Sequence, residues 1–153
     1  MPAHEIRGEE PLYEYTVNLG KVTEYGVSFA DLNARRVAPP AEGALFDIAF
    51  AGSLQGFGTT GAVSGVDRLY VRPDGRVEIN VRATITLEDG KTIAHAATGV
   101  SNLDHTTGSF LLRENQTLFS SHAEYRWVNR LQVWAVGKLD AAAGTVTLSC
   151  YSL

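Results

Sequence analysis

The chain has 153 residues, with 13 Lys and Arg against 17 Asp and Glu and a formal net charge of −4, a length that favours one domain able to bury roughly 70% of its unfolded surface without a metal or disulfide staple. The acidic balance argues against a nucleic-acid or anionic-membrane partner, which would need a concentrated basic surface, and the single cysteine, Cys150, can close no intrachain disulfide. No apolar run approaches the ~18 residues of a membrane helix, and the polar start lacks the apolar centre of a signal peptide, so the expectation is a soluble, cytoplasmic single domain over 11–153 behind a loose tail over 1–10.

Taken in chain order, 12–19 and 21–29 read as two strands, and a short helix is expected near 30–36, started by Ser28 or Asp31 and stopped by Pro39-Pro40. A strand over 45–52 leads into the Gly-rich stretch 52–65. Within it, Gly56-Phe57-Gly58-Thr59-Thr60-Gly61 matches G-x-G-x-x-G. The residues after Gly61 are strand-like rather than helical, so the match reads as a bend between strands and not as a pyrophosphate site.

Periodicity is clearest over 77–87. Val77, Ile79, Val81, Ala83, Ile85 and Leu87 fall on one face, and Glu78, Asn80, Arg82, Thr84 and Thr86 on the other. Asp74-Gly75 and Asp89-Gly90 bracket this strand with residues that accept the positive φ of tight turns. The stretches 66–72, 76–87 and 91–99 are therefore expected as an antiparallel meander, followed by strands over 110–120, 125–138 and 145–153. The predicted fold class is all-β: one closed antiparallel barrel of about eight to ten strands with at most a short helix near 30–36.

Several residues are candidates for chemistry. Alternation across 124–138 places Tyr125, Trp127 and Asn129 on one strand face, pointing inward. A buried amide requires hydrogen-bond partners, so that set reads either as a pocket wall or as core with Asn129 tied to backbone. Asp67 shares phase with Leu69 and Val71; facing inward it would have a raised pKa and could act as acid or base, whereas outward it would pair with a nearby arginine. His95 lies in phase with Ile93 and Ala97, as core or as a proton-transfer group. Arg82 sits on its strand's polar face, toward solvent or toward a wet lumen. Trp134, on an otherwise solvated face, suggests a subunit contact. Cys150 alternates with Val146 and Leu148 and reads as a buried apolar residue. His4, His95, His105 and His122 lack paired metal-ligand spacing, and no cofactor or metal is expected.

Several segments carry a family resemblance. They are 39–47, Gly61-Ala62-Val63-Ser64-Gly65-Val66-Asp67, 71–76 and 86–93. Near the end, Tyr125-Arg126-Trp127-Val128-Asn129-Arg130 is similar to a family motif Tyr-x-Trp-Leu-Asn-Arg, with Val136-Gly137 at its usual place after it. Over about 40–153 the chain thus resembles the domain of unknown function 3237, a calycin-like β-barrel of bacteria and fungi. It departs in carrying Arg68 where the family often has an aromatic. The resemblance implies a small, frequently self-associating barrel (dimer or trimer) with a small-molecule ligand inside. It also implies a kinship with cofactor-free lyases of lignin-derived aromatic compounds.

The expected function is a cofactor-independent lyase or isomerase acting on a small aromatic or carbonyl compound. Asp67 or His95 would be the acid or base, and Tyr125 would donate a proton or hydrogen bond to a developing oxyanion. Asn129 and Arg82 would orient the substrate, and Trp127 would stack on its ring. The alternative is a barrel that binds a hydrophobic small molecule without chemistry.

Overall fold

The computed structural model describes residues 10–104 and 106–152, so almost all of the segment read as a tail, and His105, lie outside the described residues. Eight antiparallel strands close into one barrel: β1 (Tyr13–Glu24), β2 (Ala44–Gly56), β3 (Thr59–Val71), β4 (Val77–Leu87), β5 (Thr92–Leu103), β6 (Phe110–Phe119), β7 (Val133–Asp140) and β8 (Thr145–Ser152). Each strand pairs with its sequence neighbours, and β8 returns to β1 through Tyr13↔Cys150 to Asn18↔Thr145. Closure leaves no free edge for another chain to extend.

Alternation decides which side chains fill the barrel. On β4, Ile79, Val81, Ile85 and Leu87 are buried, while Asn80, Arg82, Thr84 and Thr86 are exposed. The Asp-Gly turns bend as their chemistry requires: Gly75 takes φ 91° and Gly90 takes φ 83°. The two strands expected over 12–19 and 21–29 are one, β1. Its pairing with β2 shifts between Leu19 and Val22, where three steps on β1 face two on β2. That extra residue is a bulge that bends the strand instead of ending it.

The expected helix is a single turn, α1 (Phe29–Asn33), whose N-cap Ser28 accepts a hydrogen bond from the Asp31 N–H at 3.2 Å. The strand expected over 125–138 is the larger departure. Its first half is a 3-10 helix, Ala123–Arg130, with Val128 fully buried, and only Val133–Asp140 is strand. Tyr125, Val128 and Leu131 recur every third residue, the repeat of a 3-10 turn, and these three sit on or beside the core. This plug helix covers the end of the barrel where β1 begins and β2 ends, and α1 flanks the opposite end. No helix among the described residues is long and apolar enough to cross a membrane.

Candidate functional site

The α1 half of the barrel is hollow. A cavity of about 110 Å³ runs down the axis, walled by aliphatic side chains from the strands and by Tyr15, Phe29, Phe50 and Phe110. An apolar cavity of about 150 Å³ accommodates benzene, so this space is of the order of one ring. Its polar lining is sparse: Tyr15, Asn33, Asp67, Ser101 and Glu114. No Lys or Arg among the described residues lines it.

Asp67 reaches this cavity from β3, the phase it shares with Leu69 and Val71. The β3–β4 ladder keeps one register on both sides of it, with Asp67↔Val81 and Tyr70↔Glu78, yet lacks the two pairs between. In that gap the Asp67 carboxylate accepts the Asn80 N–H at 3.0 Å. Burial pushes the Asp67 pKa up to about 6, against the lowering effect of that hydrogen bond, with a smaller upward push from the charge of Asp47.

Glu114, on β6, is the second carboxyl in the wall and is only 5% exposed. Burial lifts its pKa to about 7, a hydrogen bond from Gln116 lowers it, and the charge of Asp67 raises it further. Gln116, fully buried, organises this end of the cavity. Its Oε1 accepts from the Tyr13 hydroxyl, and its Nε2 donates to Glu114 Oε1 at 2.9 Å and to the Tyr15 hydroxyl oxygen at 3.3 Å. Since Tyr15 accepts from Gln116, its own O–H proton is free to point at a ligand. Facing Glu114 across the ladder is Gly99, where a Cβ would come within 2.0 Å of the Arg113 carbonyl oxygen. Glycine there lets β5 and β6 approach closely beside the carboxyl.

The other candidates lie elsewhere. His95 is buried beyond the cavity, edge-on to the rings of Tyr13 and Tyr15, and neither ring nitrogen has a hydrogen-bond partner among the described residues. Burial lowers its pKa to about 4, so at neutral pH it is an uncharged core residue and not a cavity acid or base. Tyr125, Trp127 and Asn129 belong to the plug helix and do not line the lumen, because a 3-10 turn, unlike a strand, does not aim alternate residues to one side. The Tyr125 hydroxyl donates to Asp89 Oδ2 at 2.8 Å. Trp127 is 44% exposed and donates to the Glu124 carbonyl at 3.0 Å. The Asn129 amide brackets the Ser120 backbone, accepting its N–H at 2.8 Å and donating to its carbonyl at 2.9 Å. Arg82 lies on the outer face, bonded to Asn80 Oδ1 at 3.1 Å and to the Val81 carbonyl at 2.9 Å.

Arg68, the departure from the family pattern, also points outward and forks onto Asp47 with bonds of 2.9 and 2.8 Å, so it leaves the lumen's charge untouched. Trp134 and Phe119 are exposed on the outer surface. Glu114, Gln116 and Tyr15 are not among the residues that sequence reasoning singles out. The signal was present: Leu112, Glu114, Gln116 and Leu118 share one phase, so two polar residues occupy the buried face of β6.

Residues 9–153 match the family described as "Protein of unknown function (DUF3237)". No curated protein matches the chain. Among solved structures, a protein of unknown function from Clostridium acetobutylicum is similar at a TM-score of 0.76 and 21% identity, over 94% of this chain and 97% of its own. A β-barrel-like protein from Acinetobacter baumannii gives a TM-score of 0.73 at 21% identity, over 94% and 93% of the two chains. An enzyme from Penicillium herquei is a more distant match, with a TM-score of 0.55 and 16% identity over 94% of this chain and 97% of that one.

Proposed function

The chain belongs to the DUF3237 family, and from that premise we propose that its barrel is a cofactor-independent acid–base catalyst, a lyase or isomerase acting on a ring-sized, largely apolar aromatic or carbonyl compound. One observation carries the reading. Two carboxyls, Asp67 and Glu114, share a single apolar cavity, with pKa values lifted to about 6 and about 7. An acid–base group works best when its pKa lies near the operating pH, and two like charges in one low-dielectric space resist ionising together. One carboxyl then serves as base while the other retains a proton to give. The free Tyr15 O–H, held by Gln116, is placed to stabilise an oxygen that gains charge as a neighbouring C–H proton leaves. The Penicillium herquei protein, a distant structural relative, is described as an enzyme.

The test is proton exchange in D2O, monitored by NMR, across small aryl ketones, aldehydes and phenols. The protein should accelerate exchange of an acidic C–H in at least one of them, and Asp67→Asn and Glu114→Gln should each reduce the rate ~100-fold while the fold persists. The mostly aliphatic and aromatic wall favours a second reading, a binding barrel without chemistry. Saturable binding with no exchange in any compound would decide for it.

A further inference from the structure

The polar groups in the wall of the lumen also bear on the charge of its ligand. Asp67 uses one oxygen on the Asn80 N–H, and Glu114 uses Oε1 on Gln116. The second oxygen of each carboxyl has no protein partner among the described residues. Ser101 is 7% exposed, lines the same cavity and likewise has no side-chain partner among the described residues. It stands two residues beyond Gly99 on β5, the residue opposite Glu114, and so lies diagonally from Glu114 on the inner face. These acceptors, with the Asn33 amide, line a space with no cationic side chain in its wall among the described residues.

Resting on the reading of the lumen as the working site, we propose that its substrate class is small organic ammonium compounds: a ring-sized apolar body bearing one protonated amine, held by the carboxyls of Asp67 and Glu114 in a wall that offers it further neutral acceptors. Aromatic rings, which attract cations, line the same space at Tyr15 and Phe50, and the aliphatic wall takes the body. Folding has already desolvated both carboxyls, so the ligand loses only its own hydration on entry. That burial raises both carboxyl pKa values, with no cation beside them to lower either, fits a site awaiting its counter-ion. An anion would meet at least one carboxylate, with the Tyr15 and Ser101 hydroxyls and the Asn33 amide as the neutral donors of the wall.

The probes are benzylamine, benzyl alcohol and benzoate, measured by calorimetry and by chemical-shift perturbation. At pH 8 benzylammonium should bind at least ~10-fold tighter than the alcohol, and benzoate should not bind; the ~10-fold margin corresponds to a modest buried ion pair. The amine's affinity should fall at least ~10-fold at pH 5.5, as the carboxyls take up protons. Other titratable groups beside Glu114 are Tyr13 and Tyr15 from β1 and Cys150 from β8, with His95 of β5 beyond the two tyrosines. Outside Asp67 stands the Asp47–Arg68 pair. Burial keeps the phenols, the thiol and the imidazole uncharged across this range. Glu114→Gln and Asp67→Asn should each bring the amine down to the alcohol's affinity. The comparison of amine with alcohol needs no variant and holds if either one fails to fold. The proposal falls if the alcohol binds as tightly as the amine, or if amine affinity does not change with pH. Exchange of a C–H proton without amine binding would overturn this inference and leave the catalytic reading standing; amine binding without exchange would do the reverse.

Discussion

Gln116 is the residue through which the lumen's polar groups are ordered. Its amide is oriented by the Tyr13 hydroxyl, which donates to Oε1 and so leaves Nε2 to serve Glu114 and Tyr15. Replacing it with Leu would strand the Tyr13 donor and remove a donor from Glu114. Leaving a buried polar group unpaired costs about 1–3 kcal/mol, and Gln116→Leu should destabilise the barrel by that amount in urea unfolding. The same change should move the Glu114 carboxyl above its value of about 7, because the hydrogen bond from Gln116 holds it down. A 13C titration of the Glu114 side chain reads this directly; an unchanged midpoint would show that the amide does not govern the acid. Period-two phasing is sufficient to place Gln116 and Glu114 on the inner face of β6. It is insufficient to show that the inner face of this half is empty, because a cavity depends on how eight strands pack and on no single strand.

At the scale of the element, the plug helix explains both what the sequence shows and what it conceals. Alternation through Tyr125, Trp127, Asn129 and Leu131 imitates a strand, while Tyr125, Val128 and Leu131 carry the repeat of three that the chain adopts. Both patterns fit the same seven residues, 125–131, and burial of Val128 against the core selects the second. The motif shared with the family is then a closure. Asn129 clamps the strand end at Ser120, and Tyr125 ties the plug to the β4–β5 turn at Asp89. Asn129→Ala unpairs both the N–H and the carbonyl of Ser120 and should lower stability by about 1–3 kcal/mol. Tyr125→Phe removes one exposed hydrogen bond and should leave the melting temperature almost unchanged. Both variants should keep the wild-type affinity of a lumen ligand. A large loss of affinity in Tyr125→Phe, with melting temperature unchanged, would place that phenol in the working site after all. The turns bracketing β4 were legible because Asp-Gly chemistry is local, and the plug was not because its shape is set by what it covers.

For the whole molecule, closure of the sheet means that the buried titratable groups share one interior and act on stability together. Their signs differ. Asp67 and Glu114 have folded pKa values of about 6 and about 7, above the ordinary 3.8 and 4.5, so the folded state holds their protons more tightly. That contribution is complete at acid pH and is lost as pH rises through 6 and then 7. His95 runs the other way: its folded pKa of about 4 lies below the ordinary 6.5, so its contribution is complete above 6.5 and is lost as pH falls toward 4. Around pH 5.5 the unfolded chain gains about one proton at the histidine, while the folded barrel retains nearly two at the carboxyls. The carboxyls therefore prevail, and the melting temperature should fall between about pH 5 and pH 8. Glu114→Gln, which keeps the shape and removes the charge, should stabilise the barrel at pH 8 by about 1–3 kcal/mol. In the double variant Asp67→Asn, Glu114→Gln only His95 remains, and the slope should reverse, the melting temperature rising from pH 4 to pH 6.5. Thermal melts of the two proteins across this range compare the slopes directly. A wild-type barrel that gains stability steadily up to pH 8 would mean that the carboxyls are hydrated rather than desolvated in the lumen, and that neither holds a proton near neutrality.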